Sequence, residues 1–136
     1  LGKVTGDKKY LDSAKALFSA FSGFLENNPQ ASEVLLHALF FTLSSPAEIV
    51  ICGERDDERT QALIKEINRR FLPSSVLLFR EPKTPSEELL KIAPFLKHQE
   101  MANGMPTVFI CRNQTCDRPE NSVKALAERL DKSVAP

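Results

Sequence analysis

Apolar residues recur at spacings of three and four along the first part of the chain. Tyr10, Leu11, Ala14, Leu17, Phe18, Phe21 and Leu25 fall on one stripe when wound at about 3.6 residues per turn. The pattern predicts an amphipathic helix from Asp7 to Leu25, started by Thr5-Gly6-Asp7 and stopped by Asn27-Asn28-Pro29. Pro29 lacks an amide hydrogen, which costs nothing at a helix start. It therefore suits the first position of a second helix, capped by Asn28 and running through Val34, Leu35, Ala38 and Leu39 toward Leu43. Residues 1–45 are expected to form a helical hairpin.

The period changes at Ser44-Ser45-Pro46. Glu48-Ile49-Val50-Ile51-Cys52 is a short β-branched run ending at Gly53, and its nearly unbroken apolar content suits a strand buried on both faces of a parallel sheet. The stretch Glu58 to Phe71 sets Leu63, Ile64, Ile67 and Phe71 on one side, with Arg59, Lys65, Glu66, Arg69 and Arg70 largely elsewhere, as in a surface helix packed on a sheet. Ser75-Val76-Leu77-Leu78-Phe79 is a second strand, completing a βαβ unit with a right-handed crossover. Thr84-Pro85-Ser86-Glu87 has the form of a capping box opening a short helix to about Ala93. Phe95 to Gly104 reads as a helical turn and a loop. Pro106 to Cys111 is a third strand, and Asn121-Ser122 opens a last helix carrying Val123, Leu126, Ala127 and Leu130.

This order, a helical hairpin followed by β-α-β-α-β-α, predicts an α/β fold with a small three-stranded parallel sheet and helices on its faces. Residues 1–45 are too few for an independent domain, so the hairpin is expected to pack on the sheet layer of a three-layer domain spanning 46–136. No repeat or low-complexity stretch interrupts the pattern.

Composition narrows the setting. The 136 residues are 42% hydrophobic. A chain of this size buries roughly two-thirds of its unfolded surface, enough for one core without metal or disulfide staples. The 18 basic and 18 acidic side chains balance, which opposes a chain-wide nucleic-acid or membrane-surface role. The apolar run Val34 to Leu43 falls far short of the roughly 20 residues that span a bilayer. The chain begins with Leu and shows no signal-peptide pattern, so a piece of a longer protein is expected. Three cysteines do not form a secreted disulfide framework, which favours a reducing, cytoplasmic location.

Chemistry concentrates on those cysteines. Cys111 and Cys116 form a Cys-x4-Cys at the end of the third strand. They are either a disulfide or redox pair, which would stabilise the fold by about 2 kcal/mol through loop closure, or two unlinked thiols that fill space. Cys52 also ends a strand. In a parallel sheet of order 2-1-3 it would lie near Cys111 at the carboxyl edge, where open α/β sheets bind ligands. With Cys116 and an imidazole, that cluster would resemble a Cys3His zinc site, but the spacing matches neither a zinc ribbon nor a finger, so no metal is assigned. His37, between Leu36 and Ala38, reads as a core or interface histidine, and His98, amid Lys97, Gln99 and Glu100, as a surface one.

Other motifs are bland. No Gly-rich dinucleotide or phosphate loop occurs, and no cofactor is expected. In the acidic turn Gly53-Glu54-Arg55-Asp56-Asp57, Asp56 or Asp57 is expected to cap the next helix. Glu87 and Glu88 suit the positive end of a helix better than acid/base catalysis. Lys65, Arg69 and Arg70 are diluted by Glu58 and Glu66 and read as a solvated face.

Several segments together resemble one family: Thr5-Gly6-Asp7-Lys8-Lys9-Tyr10, Glu48 to Gly53, Phe71-Leu72-Pro73-Ser74, and Thr107 to Cys111 continuing to Cys116 and Pro119. They look like the carboxy-terminal region of the YyaL-like proteins, also called spermatogenesis-associated thioredoxin-domain proteins. The resemblance implies a longer parent with an amino-terminal thioredoxin-like domain and a helical toroid similar to N-acylglucosamine 2-epimerases and six-hairpin glycosidases. It makes residues 1–45 the last hairpin of the toroid and 46–136 the appended α/β domain. Cys111 and Cys116 match the family's terminal cysteine pair, while Glu120 stands where family members often have Val. The thioredoxin Cys-x-x-Cys is absent, so no oxidoreductase activity carries over.

The leading expectation is a non-catalytic terminal domain supporting the toroid, its partners being the remaining domains of the parent chain. Two alternatives stay open: a redox or thiol-regulatory module using Cys111 and Cys116, with Cys52 as a secondary thiol, and a rim contribution to a carbohydrate-processing toroid. Phe40 and Phe41, if exposed on the helical face, would favour a homo-oligomer.

Overall fold

A computed structural model describes residues 1–82, 87–113 and 115–133. Four strands, β1 (Ala47–Cys52), β2 (Ser75–Arg80), β3 (Thr107–Arg112) and β4 (Thr115–Cys116), form one sheet in the order β2-β1-β3-β4. β1 is parallel to β2, but β3 runs antiparallel to both β1 and β4. The sheet is mixed and four-stranded, which corrects the three-stranded parallel sheet expected from the sequence. The reason lies in the connection from β2 to β3. The chain leaves β2 at Arg80 and returns to the same sheet edge, because Gln99 accepts a hydrogen bond from Arg80 and Thr107 lies opposite Cys52. A parallel strand needs a connection that crosses to the opposite edge. Here two short helical segments divided by Pro94 fold out and back, and a tight turn at Asn103 and Gly104, both with φ near 50–70°, feeds β3. An apolar run carries no sign of strand direction.

All six residues of β1 are buried, because helices cover both faces of the central strand. On one face α5 (Glu58–Asn68) and α7 (Val123–Ser133) press Leu63, Ile67, Leu126 and Leu130 onto Ala47, Ile49, Ile51, Val108 and Ile110. α5 begins at Asp57, whose carboxylate accepts from the Arg59 amide at 2.8 Å and pairs with its guanidinium at 2.7 Å. Those bonds hold the Asp57 carboxyl below its usual range. α5 stops at Asn68, so Phe71 drops out of the helical stripe and is 81% exposed rather than buried with Ile67. At the start of α7, Ser122 Oγ faces the Ala125 amide at 3.5 Å.

The opposite face carries a second cluster. Val50, Cys52, Ala93 and Leu96 are buried there with Leu89, Leu90, Phe95, Met101 and Phe109 packed against them. The cover consists of α6 (Glu87–Ile92) and a 3₁₀ turn (Pro94–His98), together with Val4 from α1 (Gly2–Thr5). The capping box expected at Thr84 to Glu87 lies mostly outside the described residues.

The leading segment is more broken than its periodicity indicates. α2 (Lys8–Ala20) and α3 (Ser22–Asn27) are separated at Phe21, and Ser22 turns its hydroxyl back to the Ser19 carbonyl at 3.0 Å. Pro29 opens a 3₁₀ turn (Pro29–Ser32), and α4 (Glu33–Leu43) begins only after it. Asn28 does not cap α4; its amide reaches back to the Phe24 carbonyl at 3.4 Å. Asp7 does cap α2, accepting from the Lys9 amide at 3.0 Å. No residue of α2 or α4 is buried. α1 makes the attachment instead: Val4 joins the apolar cluster, and Lys3 Nζ donates to Asn113 Oδ1 at 2.7 Å. No helix among the described residues is long and apolar enough to cross a membrane.

Candidate functional site

Polar and sulfur-bearing side chains gather on the sheet face away from α5 and α7. Side chains alternate along a strand, so Glu48, Val50 and Cys52 of β1 share one face. The register sets Cys111, Phe109 and Thr107 beside them from β3, and Val76, Leu78 and Arg80 from β2. Glu48, Arg80, Gln99 and Thr107 are all buried, as are Cys52 and Cys111.

Cys111 and Cys116 are joined by a disulfide. They are direct register partners across the β3–β4 hairpin, with Cα atoms 3.8 Å apart. Asn113 begins the turn with φ 51°, a conformation that asparagine tolerates better than most residues. Cys111 is buried, while Cys116 reaches the surface in part.

Gln99 connects this disulfide to the rest of the layer. Its side-chain Nε2 lies 3.1 Å from Cys116 Sγ and 3.5 Å from Cys111 Sγ. Its main-chain oxygen accepts from Cys52 Sγ at 3.1 Å and from the Arg80 guanidinium. Arg80 also approaches the Glu100 carboxylate at 3.8 Å. Arg80 Nε and Gln99 Oε1 are buried with no hydrogen-bond partner among the described residues. A cleft of about 260 Å³ lined by Arg80, Pro82, Glu100 and Met101 opens beside them.

Burial pushes the Cys52 thiol up to about 11; neighbouring Arg80 pulls the other way and Glu100 adds to the rise. Cys52 is therefore a protonated thiol near neutrality and a poor nucleophile.

The antiparallel register also corrects the expected meeting of Cys52 and Cys111. Cys52 faces Thr107, whereas Cys111 faces Glu48, at the far end of β1. At roughly 3.3 Å per residue the two cysteine positions stand about 13 Å apart along the strand. Gln99, not direct proximity, links them. His37 and His98 are both exposed, so the core placement expected for His37 does not hold within this chain. Among the described residues, no group of three or more His, Cys, Asp and Glu side chains is arranged to hold a metal ion. Gln99 and Arg80 escaped the sequence reading. Gln99 sits among charged residues that look solvated, and the one hint for Arg80 is a cation closing an apolar strand.

The chain is thus an α/β unit with a mixed sheet and a hairpin disulfide, preceded by helices that bury little of their apolar surface. It is 31% identical over 85% of its length to spermatogenesis-associated protein 20 of Homo sapiens, covering 14% of that protein. It is 30% identical over 88% of its length to the Mus musculus protein of the same name, covering 15% of it. An uncharacterized Caenorhabditis elegans protein is 25% identical over 92% of the chain, which covers 17% of that relative. The chain therefore spans about one-seventh of the length of the curated relatives it matches. No family model matches it, and neither does any solved structure.

Proposed function

We propose that this chain serves as a non-catalytic α/β domain of a larger cytoplasmic protein of the YyaL-like type, supporting a neighbouring helical toroid through its own leading helices. The observation that carries this reading is the unburied apolar surface of α2 to α4. Leu17, Phe21, Phe24, Val34, Phe40 and Leu43 are all exposed, where a self-sufficient domain would bury most of them. Phe21, Phe24, Val34, Leu35 and Ala38 line a groove of about 520 Å³. The relatives are about six times as long as this chain, so a parent of that size has further surface that could cover this face.

The test is complementation in two pieces. The chain is co-expressed with the remainder of its parent, and co-purification is compared for the native sequence and for Val34→Asp with Phe40→Ser. Co-purification that the double substitution abolishes supports the reading. Failure of the native chain to associate while it stays monomeric by sedimentation would overturn it.

A further inference from the structure

We propose that the Cys111–Cys116 disulfide is a thiol-exchange site whose state is transmitted through Gln99 to the layer covering Cys52 and Arg80. The proposal is independent of the docking reading, since none of these residues lies on α2 to α4. Three observations meet here. The two halves of the bond differ in exposure, because Cys116 is partly exposed and Cys111 is buried. Both sulfurs lie within reach of one buried amide donor, Gln99 Nε2, at 3.1 and 3.5 Å. The same residue's carbonyl holds Cys52 and Arg80 at the end of β1 and β2.

The chemistry follows from that asymmetry. The co-reactant is a dithiol reductant, small or protein-borne. Its thiolate attacks Cys116 Sγ, the S–S bond breaks, and Cys111 leaves as a thiolate beside the Gln99 amide, which stabilises the developing charge. The reductant's second thiol, deprotonated, then attacks the mixed disulfide, closing a disulfide in the reductant and releasing the Cys116 thiolate. Both cysteine thiolates take up protons, so the protein gains two electrons and two protons while the dithiol loses the same.

Reduction removes the covalent tie between β3 and β4 and leaves that two-residue strand held by backbone pairing, which continues through the Asp117 amide on the Ile110 carbonyl at 3.0 Å. Cys116 then moves away from Gln99, whose amide loses its nearer partner. The Gln99 carbonyl is on the same residue, so the segment from Pro94 to Met105 loosens over Cys52. Cys52 thus reports on the disulfide without taking part in the exchange.

The experiment needs no variant at its first stage. Native protein is treated with dithiothreitol, and pulse alkylation followed by peptide mass spectrometry reads the labelling rate of Cys52 before and after. Amide hydrogen exchange is followed in parallel. The expected result is Cys52 labelling faster by roughly tenfold or more after reduction, with faster exchange confined to β4 and residues 94–105 and none at Leu63 or Leu126. Oxidised Gln99→Leu should already label Cys52 at the reduced rate. Cys111→Ser should form a mixed disulfide with an aromatic disulfide reagent faster than Cys116→Ser. The proposal is overturned by a disulfide that native dithiol leaves intact, by an unchanged Cys52 rate, or by exchange that rises equally across both faces of the sheet.

Discussion

Cys52 Sγ donates to the main-chain oxygen of Gln99 at 3.1 Å, on the same oxygen that receives the Arg80 guanidinium. The contact fastens the end of the central strand to the segment that covers it. It also fixes the thiol in a dry place, where losing its proton is unfavourable. A buried thiol and a buried cation thereby share one acceptor.

Alkaline pH should weaken the fold through this thiol. Cys52 holds its proton up to about 11 in the folded chain, against 9.0 for an ordinary thiol. Below the ordinary value both states are protonated and the contribution is fully present. Above it the unfolded chain releases a proton that the folded one keeps, so stability falls as pH rises toward the folded value. Urea midpoints across that window should decline more in the native protein than in Cys52→Ala, and equal declines would refute the assignment.

Loss of the disulfide should cost about 2 kcal/mol through the unfolded chain's greater freedom. Cys116→Ser is the better variant, since it alters the partly exposed member of the pair and leaves Cys111 in place. Urea unfolding should show a lower midpoint.

Gly53 is expected to resist any side chain. An added Cβ would collide with Thr60 Oγ1 and come within 3.2 Å of the Pro106 ring. Gly53→Ala should destabilise by roughly 1–3 kcal/mol from overpacking. Thr60→Ala in the same chain should recover part of that loss, because it removes the hydroxyl the new methyl meets. Thermal unfolding of the two single variants and the double variant would show the coupling, and strict additivity would argue against a clash.

The two ends of the chain should respond oppositely to truncation. Leu126 is fully buried between the sheet and α5, so Leu126→Ala should cost about 3 kcal/mol. Val34 is 83% exposed, so Val34→Ser should change stability by no more than about 0.5 kcal/mol. In the isolated chain it should also reduce self-association measured by sedimentation.

Local chemistry was legible where it depended on neighbours in the chain. Asp57 caps α5 because a carboxylate one position before a helix meets free amides whatever the rest of the fold does. The three long strands were readable from short apolar runs, β-branched in β1. The helix through Phe21 and the cap at Asn28 were misread, because periodicity does not register a break that leaves the stripe nearly in phase.

The sequence by itself determined the three long strands, the helices that follow them, and a cysteine pair at the end of the third strand, but not β4 or the breaks in the leading helices. Strand direction was decided only in three dimensions, by a connection that doubles back over the sheet instead of crossing it. Direction set the register, and register carried Cys111 to Glu48 instead of Cys52. The same folding back brought Gln99 from a polar stretch into contact with all three sulfurs. The physical reason is one of range. Helix caps and strand propensities arise within a few residues, whereas the partners of Gln99 lie between 12 and 47 residues away along the chain.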